Sequence, residues 1–99
     1  MKLHIVSRPA SSHSDLLAAS RVASGALLLI EDGVLSAVNG SPARQLLQRL
    51  MDEGVSVFAL QEDLEARGLS GVLMLEGIRT VDYDGFVSLV EKYEVVPWL

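Results

Sequence analysis

Ala26 to Ile30 is an unbroken aliphatic run, Ala-Leu-Leu-Leu-Ile. It lacks the alternation of a half-exposed strand, so it reads as a strand covered on both faces, as at the centre of a parallel sheet. Glu31-Asp32-Gly33 breaks it. Val55 to Leu60 repeats the pattern, ends at Gln61-Glu62-Asp63, and leads into a short helix over Glu62 to Arg67 closed by Gly68. Leu3 to Val6 and Ile78 to Val81 read as two further strands, the first ended by Arg8-Pro9 because proline offers no ladder N–H.

Helical signals alternate with these runs. Ser11 to Ser14 offer N-cap oxygens, and Leu16, Ala19, Val22 and Ala23 recur at helical spacing before Gly25. Asn39-Gly40 is a turn signal, and Ser41-Pro42 predicts a helix start with Leu46, Leu47, Leu50 and Met51 as its apolar stripe, closed by Gly54. Asp82 or Asp84 caps a last helix whose stripe is Phe86, Leu89, Val90 and Tyr93. Val72 to Leu75 stays open between a strand, a helix turn and a partner-facing segment, and Val95 to Leu99 reads as an apolar tail. Strands alternating with helices predict a parallel sheet with right-handed crossovers. The expected architecture is a three-layer α/β sandwich of flavodoxin or Rossmann type, one domain over residues 1–99.

Charge narrows the partners. The net charge is −5: residues 1–50 hold five basic and three acidic side chains (+2), and residues 51–99 hold three and ten (−7). Such a chain lacks the basic footprint of nucleic-acid binding, so direct contact with RNA or DNA is not expected. Hydrophobic residues make up 49% of the chain, generous for 99 residues, and either a sheet buried on both faces or a partner subunit would use them. No run approaches the ~20 residues of a membrane span, and the amino-terminal run is too short for a signal peptide. A cytoplasmic location is the expectation.

There is no cysteine, which removes disulfides, thiolate metal sites and thiol nucleophiles. His4 and His13 form no metal-ligand pair. His4 alternates with Leu3 and Ile5 as a core or sheet-edge residue. The serines form no nucleophile elbow and no phosphate cradle is present, so no cofactor is expected. The remaining candidates lie at strand ends, where open α/β sheets carry their sites. They are Ser7, Asp32, Gly33, Glu62 and Asp63. Asp32-Gly33 is better read as a turn, and Glu62 and Asp63 as first-turn residues favoured by the helix dipole, with Asp63 paired to Arg67 one turn on. Trp98 beside Pro97 is either an interface anchor or a tail folded on its own domain. Leu73, Met74, Leu75 and Trp98 are the candidate subunit interface.

The block Val57 to Leu69 resembles the DsrH/TusB family of sulfur-relay proteins. Leu27-Leu28-Leu29-Ile30-Glu31-Asp32-Gly33-Val34 and Val81-Asp82-Tyr83-Asp84-Gly85-Phe86-Val87 agree with it, as do Leu3-His4 and Trp98-Leu99 at the two ends. The resemblance implies a DsrE-like fold and a non-catalytic subunit of a heterotrimer, two of which pair into a hexamer. The implied partners are homologous sister subunits, TusC/TusD-like or DsrE/DsrF-like, one of which carries the sulfur on a cysteine. The implied pathway is 2-thiolation of the tRNA wobble uridine, with dissimilatory sulfur oxidation as the alternative. Some DsrH-type members carry a cysteine of their own on the first helix. Here that region reads Ala18-Ala19-Ser20, which fits the TusB-like role better. Alone, the chain is expected to self-associate. Two other readings are a small-molecule or anion-binding module at Ser7, Asp32 and Glu62, and, ranked last, a hydrolase using Glu62 and Asp63.

Overall fold

The structure is a computed structural model and describes residues 2–7, 25–69 and 71–98. Strands β1 (Lys2–Val6), β2 (Ala26–Leu29), β3 (Ser56–Leu60), β4 (Arg79–Val81) and β5 (Glu94–Trp98) form a sheet in the order β4-β3-β2-β1-β5. Every pairing is parallel. A 3₁₀ helix (Glu31–Ala37) follows β2, and helices α1 (Arg44–Asp52), α2 (Gln61–Ala66) and α3 (Tyr83–Lys92) complete the described elements. The expected helix over residues 11–24, with His13, lies outside the described residues.

All four residues of β2 are buried, as a continuous aliphatic run requires. Alternate side chains feed two cores. Leu27, Leu29, Val57 and Ala59 meet the 3₁₀ helix, α1 and α2 through Val34, Leu47, Leu50 and Leu64. Leu3, Ala26 and Leu28 meet α3 through Phe86, Leu89 and Tyr93 on the opposite face. The placement of α3 follows from chain direction. Steps from β1 to β4 run one way across the sheet, and the step to β5 runs back. With one crossover hand, a reversed step places its helix on the other face. This is the expected three-layer α/β arrangement.

Four local expectations are corrected. Glu31-Asp32-Gly33 is not a simple turn but opens the seven-residue 3₁₀ helix. Ser41-Pro42 does not start a helix. The Ser41 hydroxyl donates to the Ser36 carbonyl at 2.8 Å, residues 42–43 form a turn, and α1 begins at Arg44 without a side-chain cap. Val72 to Leu75 is a loop that touches the chain once in strand fashion, Met74 bridging Val38. Leu75 is 4% exposed and belongs to the first core, whereas Leu73 is 72% exposed. The apolar tail is β5, in register with β1 from Lys2↔Glu94 to Val6↔Trp98. Pro97 disguised it, yet an edge strand tolerates a missing N–H.

One cap agrees with its residue. The Asp82 carboxylate accepts the Gly85 N–H at 2.8 Å and caps α3. Gly25 enters β2 at φ +97°, buried, and a Cβ there would run into the Lys2 carbonyl oxygen. Only glycine fits both demands.

Candidate functional site

Because every strand is parallel, the carboxyl ends of β1, β2, β3 and β4 share one edge of the sheet. That edge carries Ser7, Glu31 to Gly33, Glu62 with Asp63, and Asp82 with Tyr83. The structure joins most of these residues through carboxylates that bind backbone N–H groups.

Asp63 stands in the first turn of α2 and reaches back to the start of the 3₁₀ helix. Its Oδ2 accepts the Glu31 N–H at 2.6 Å. Glu31 is at φ +51°, the one non-glycine residue in the left-handed region among the described residues. Its N–H would otherwise be an orphan at a helix start, and the Asp63 charge suits that end of the helix dipole. Arg67 closes the group. Its Nε donates to Asp32 Oδ1 at 2.9 Å, while its Nη1 lies 3.8 Å from Asp63 Oδ1 and donates to the Asp63 carbonyl at 3.4 Å. The expected Asp63–Arg67 pair is therefore the longer of two, and Asp32 is the nearer partner.

Glu62 serves α3. Its Oε2 accepts the Tyr83 N–H at 3.2 Å, at the first residue of that helix, and its Oε1 is buried without a hydrogen-bond partner among the described residues. Gly33 is buried and its N–H donates to the Ile30 carbonyl at 2.8 Å. Ser7 is half-buried beyond β1, and no hydrogen bond among the described residues draws it into the carboxylate group. Glu62 and Asp63 thus point to different helices and do not face one reaction centre. Two concavities, of about 510 and 410 Å³, lie along α1 around Gln45 and Arg49 and include none of these residues. Among the described residues no group of three His, Asp or Glu side chains is placed to hold a metal ion.

His4 lies in β1 between Leu27 of β2 and Val96 of β5. Burial lowers its pKa below the ordinary 6.5, and the nearby Lys2 charge adds to the effect. Of the candidate interface, Leu73 is exposed, Met74 is half-buried against the first core and Leu75 is inside it. Trp98 ends β5, and its indole lies outside the described part. Among the described residues no helix is long and apolar enough to cross a membrane.

The sequence reading missed the reach of Asp63 to Glu31 and of Glu62 to Tyr83. Both contacts span more than twenty residues, and no local signal marks them. The left-handed Glu31 is equally silent, since glutamate has no preference for that region.

The site is a set of carboxylates that cap helices at the strand ends of a parallel sheet. Comparison with known proteins places the chain in a family. The family model described as "DsrH like protein" matches residues 9–96. "Protein TusB" of Salmonella dublin and of Salmonella enteritidis PT4 are each 46% identical over 68 residues, covering 69% of this chain and 67% of theirs. The crystal structure of the ychN protein from E. coli superposes with a TM-score of 0.80 at 18% identity, over 98% of this chain and 97% of that one. The MTH1491 protein of Methanobacterium thermoautotrophicum gives 0.78 at 22%, over 98% and 96%. The chain belongs to the DsrH/TusB family of sulfur-relay proteins. Its 99 residues hold no cysteine, so they offer no thiolate to take up the sulfur of such a relay.

Proposed function

We propose that this chain is the thiol-free subunit of a cytoplasmic complex that passes persulfide sulfur toward 2-thiolation of the tRNA wobble uridine. One observation carries the reading: a TusB-like chain without any cysteine. Persulfide transfer needs a thiolate nucleophile, so the sulfur must ride on another subunit. In this reading the chain completes and orients the assembly, with TusC/TusD-like homologues as sister subunits in a hexamer of two heterotrimers. Leu73 and Trp98 are its contact residues. The strand-end carboxylates act by holding the 3₁₀ helix and α3 in place.

The test is deletion of the gene and mass spectrometry of tRNA nucleosides. Loss of 2-thiouridine, restored by the intact gene, supports the proposal, as does co-purification of the untagged homologous subunits. Unchanged 2-thiouridine together with impaired sulfur oxidation would instead assign the chain to the dissimilatory pathway.

A further inference from the structure

β4 is an edge strand. It pairs with β3 on one side, and among the described residues nothing pairs with the other. The register is Phe58↔Arg79, Ala59↔Thr80 and Leu60↔Val81. Ala59 belongs to the core under α1 and α2, and Val81 to the core under α3. Thr80 therefore stands on the first face, and Arg79 and Val81 on the second.

On that first face, Thr80 borders a groove of about 270 Å³ whose apolar wall is Leu64, Leu69, Val72 and Met74. This is smaller than the ~300–1,000 Å³ of small-molecule pockets and suits one or two side chains. Val72 is 39% exposed at its rim. Arg79 is exposed and takes part in no ion pair among the described residues.

These features share one geometry. A strand points alternate side chains to opposite faces. A strand laid along the free edge of β4 would send the residue opposite Thr80 into the groove and set the residue opposite Arg79 beside the guanidinium. We infer that the β4 edge and this groove form a docking site for an extended segment of a partner protein. The segment adds as a sixth strand, with a large apolar side chain opposite Thr80 and an acidic one opposite Arg79. Main-chain hydrogen bonds supply affinity and the groove supplies specificity, as in other cases of strand addition. Opposite charges directly across a strand pair favour the register. A second copy of this chain fits less well. Antiparallel pairing centred on Thr80 sets threonine against threonine, leaves the groove empty and places Arg79 opposite Val81. The site does not depend on the sulfur-relay reading.

The probe is a capped seven-residue peptide of alternating polar and apolar residues, with leucine at its centre and aspartate beside it, titrated into the isotope-labelled full chain. Amide shifts should centre on Arg79 to Val81 and on Leu64, Leu69 and Val72. Methylating the backbone nitrogens of one alternate set of peptide residues should abolish binding, and the other set should leave it. Replacing the central leucine by glycine, or Val72→Glu in the protein, should weaken binding about tenfold or more. Arg79→Glu should reject the aspartate peptide and accept one with lysine in its place. Both protein substitutions are on exposed side chains, and unchanged spectra elsewhere confirm the fold. No shift at residues 79–81 up to millimolar peptide overturns the inference, as does equal tolerance of both methylation patterns. So does protection of the β4 amides from exchange before peptide is added, whether in a dimer of the chain or in its complex with homologous subunits.

Discussion

The Asp63 carboxylate accepts the Glu31 backbone N–H at 2.6 Å, across 32 residues of chain. One side chain thereby fixes the start of the 3₁₀ helix against α2. Asp63→Ala should cost about 1–2 kcal/mol in chemical denaturation, the range for losing a helix-start acceptor. Asp63→Asn, which keeps an acceptor oxygen, should cost clearly less. Equal losses would mean that the Arg67 charge, not the Glu31 N–H, is what Asp63 serves.

Glu31 itself holds a backbone conformation that costs non-glycine residues roughly 1–2 kcal/mol. Glu31→Gly removes that strain and adds about 0.5–1 kcal/mol of unfolded-state entropy. The variant should be neutral or up to about 1 kcal/mol more stable, and Glu31→Val should be less stable than the parent, both by thermal and denaturant unfolding. A clearly destabilised glycine variant would show that the Glu31 side chain is itself needed.

Gly25 and Gly40 share a positive φ, +97° and +96°, but differ in surroundings. A Cβ at Gly25 meets the Lys2 backbone, and one at Gly40 meets nothing within 4 Å. Gly25→Ala should therefore cost about 2–4 kcal/mol, strain plus overpacking, and Gly40→Ala only about 1–2. Similar midpoints for the two variants would refute the close packing of Gly25 on β1.

His4 sets a pH dependence. Its folded pKa lies below the unfolded 6.5, so the unfolded chain binds the proton more readily. Its neutral form is fully accommodated above pH 6.5, and stability falls as pH drops through 6.5 toward the lowered folded value. The unfolding free energy of the parent should decline more steeply over that window than that of His4→Gln. Parallel curves would remove His4 from the account.

Leu73 is the most exposed of the large apolar side chains among the described residues. Leu73→Ser should leave the unfolding free energy within about 0.5 kcal/mol of the parent while reducing self-association in sedimentation of the isolated chain. Unchanged sedimentation would take Leu73 out of any interface.

Much of the frame was legible because buried parallel strands leave an unmistakable pattern. Ala26 to Ile30 and Val55 to Leu60 need both faces covered, and their spacing leaves room only for helical crossovers. What stayed hidden has specific causes. Pro97 argues against a strand unless its edge position is known, and that position depends on pairing with β1 at the far end of the chain. The 3₁₀ helix begins on a glutamate, an aspartate and a glycine, residues that locally spell a turn. At the candidate site, the place of Glu62 and Asp63 at a strand end was readable, but their partners were not. Glu31 and Tyr83 are brought to them by the order of strands, which no local spacing encodes.

That order also bears on synthesis. β5 lies along β1, so Leu3 waits for Val95. While a nascent chain emerges, β1 to β4 can pair in turn as each appears, each step joining near neighbours. The outer edge of β1 stays open until β5 has left the ribosome. A stalled or clipped chain lacking β5 would expose that raw edge, with Leu3 and Ile5 beside it, to any other unfinished copy. Quality control of this protein should therefore act most strongly on chains cut short before β5.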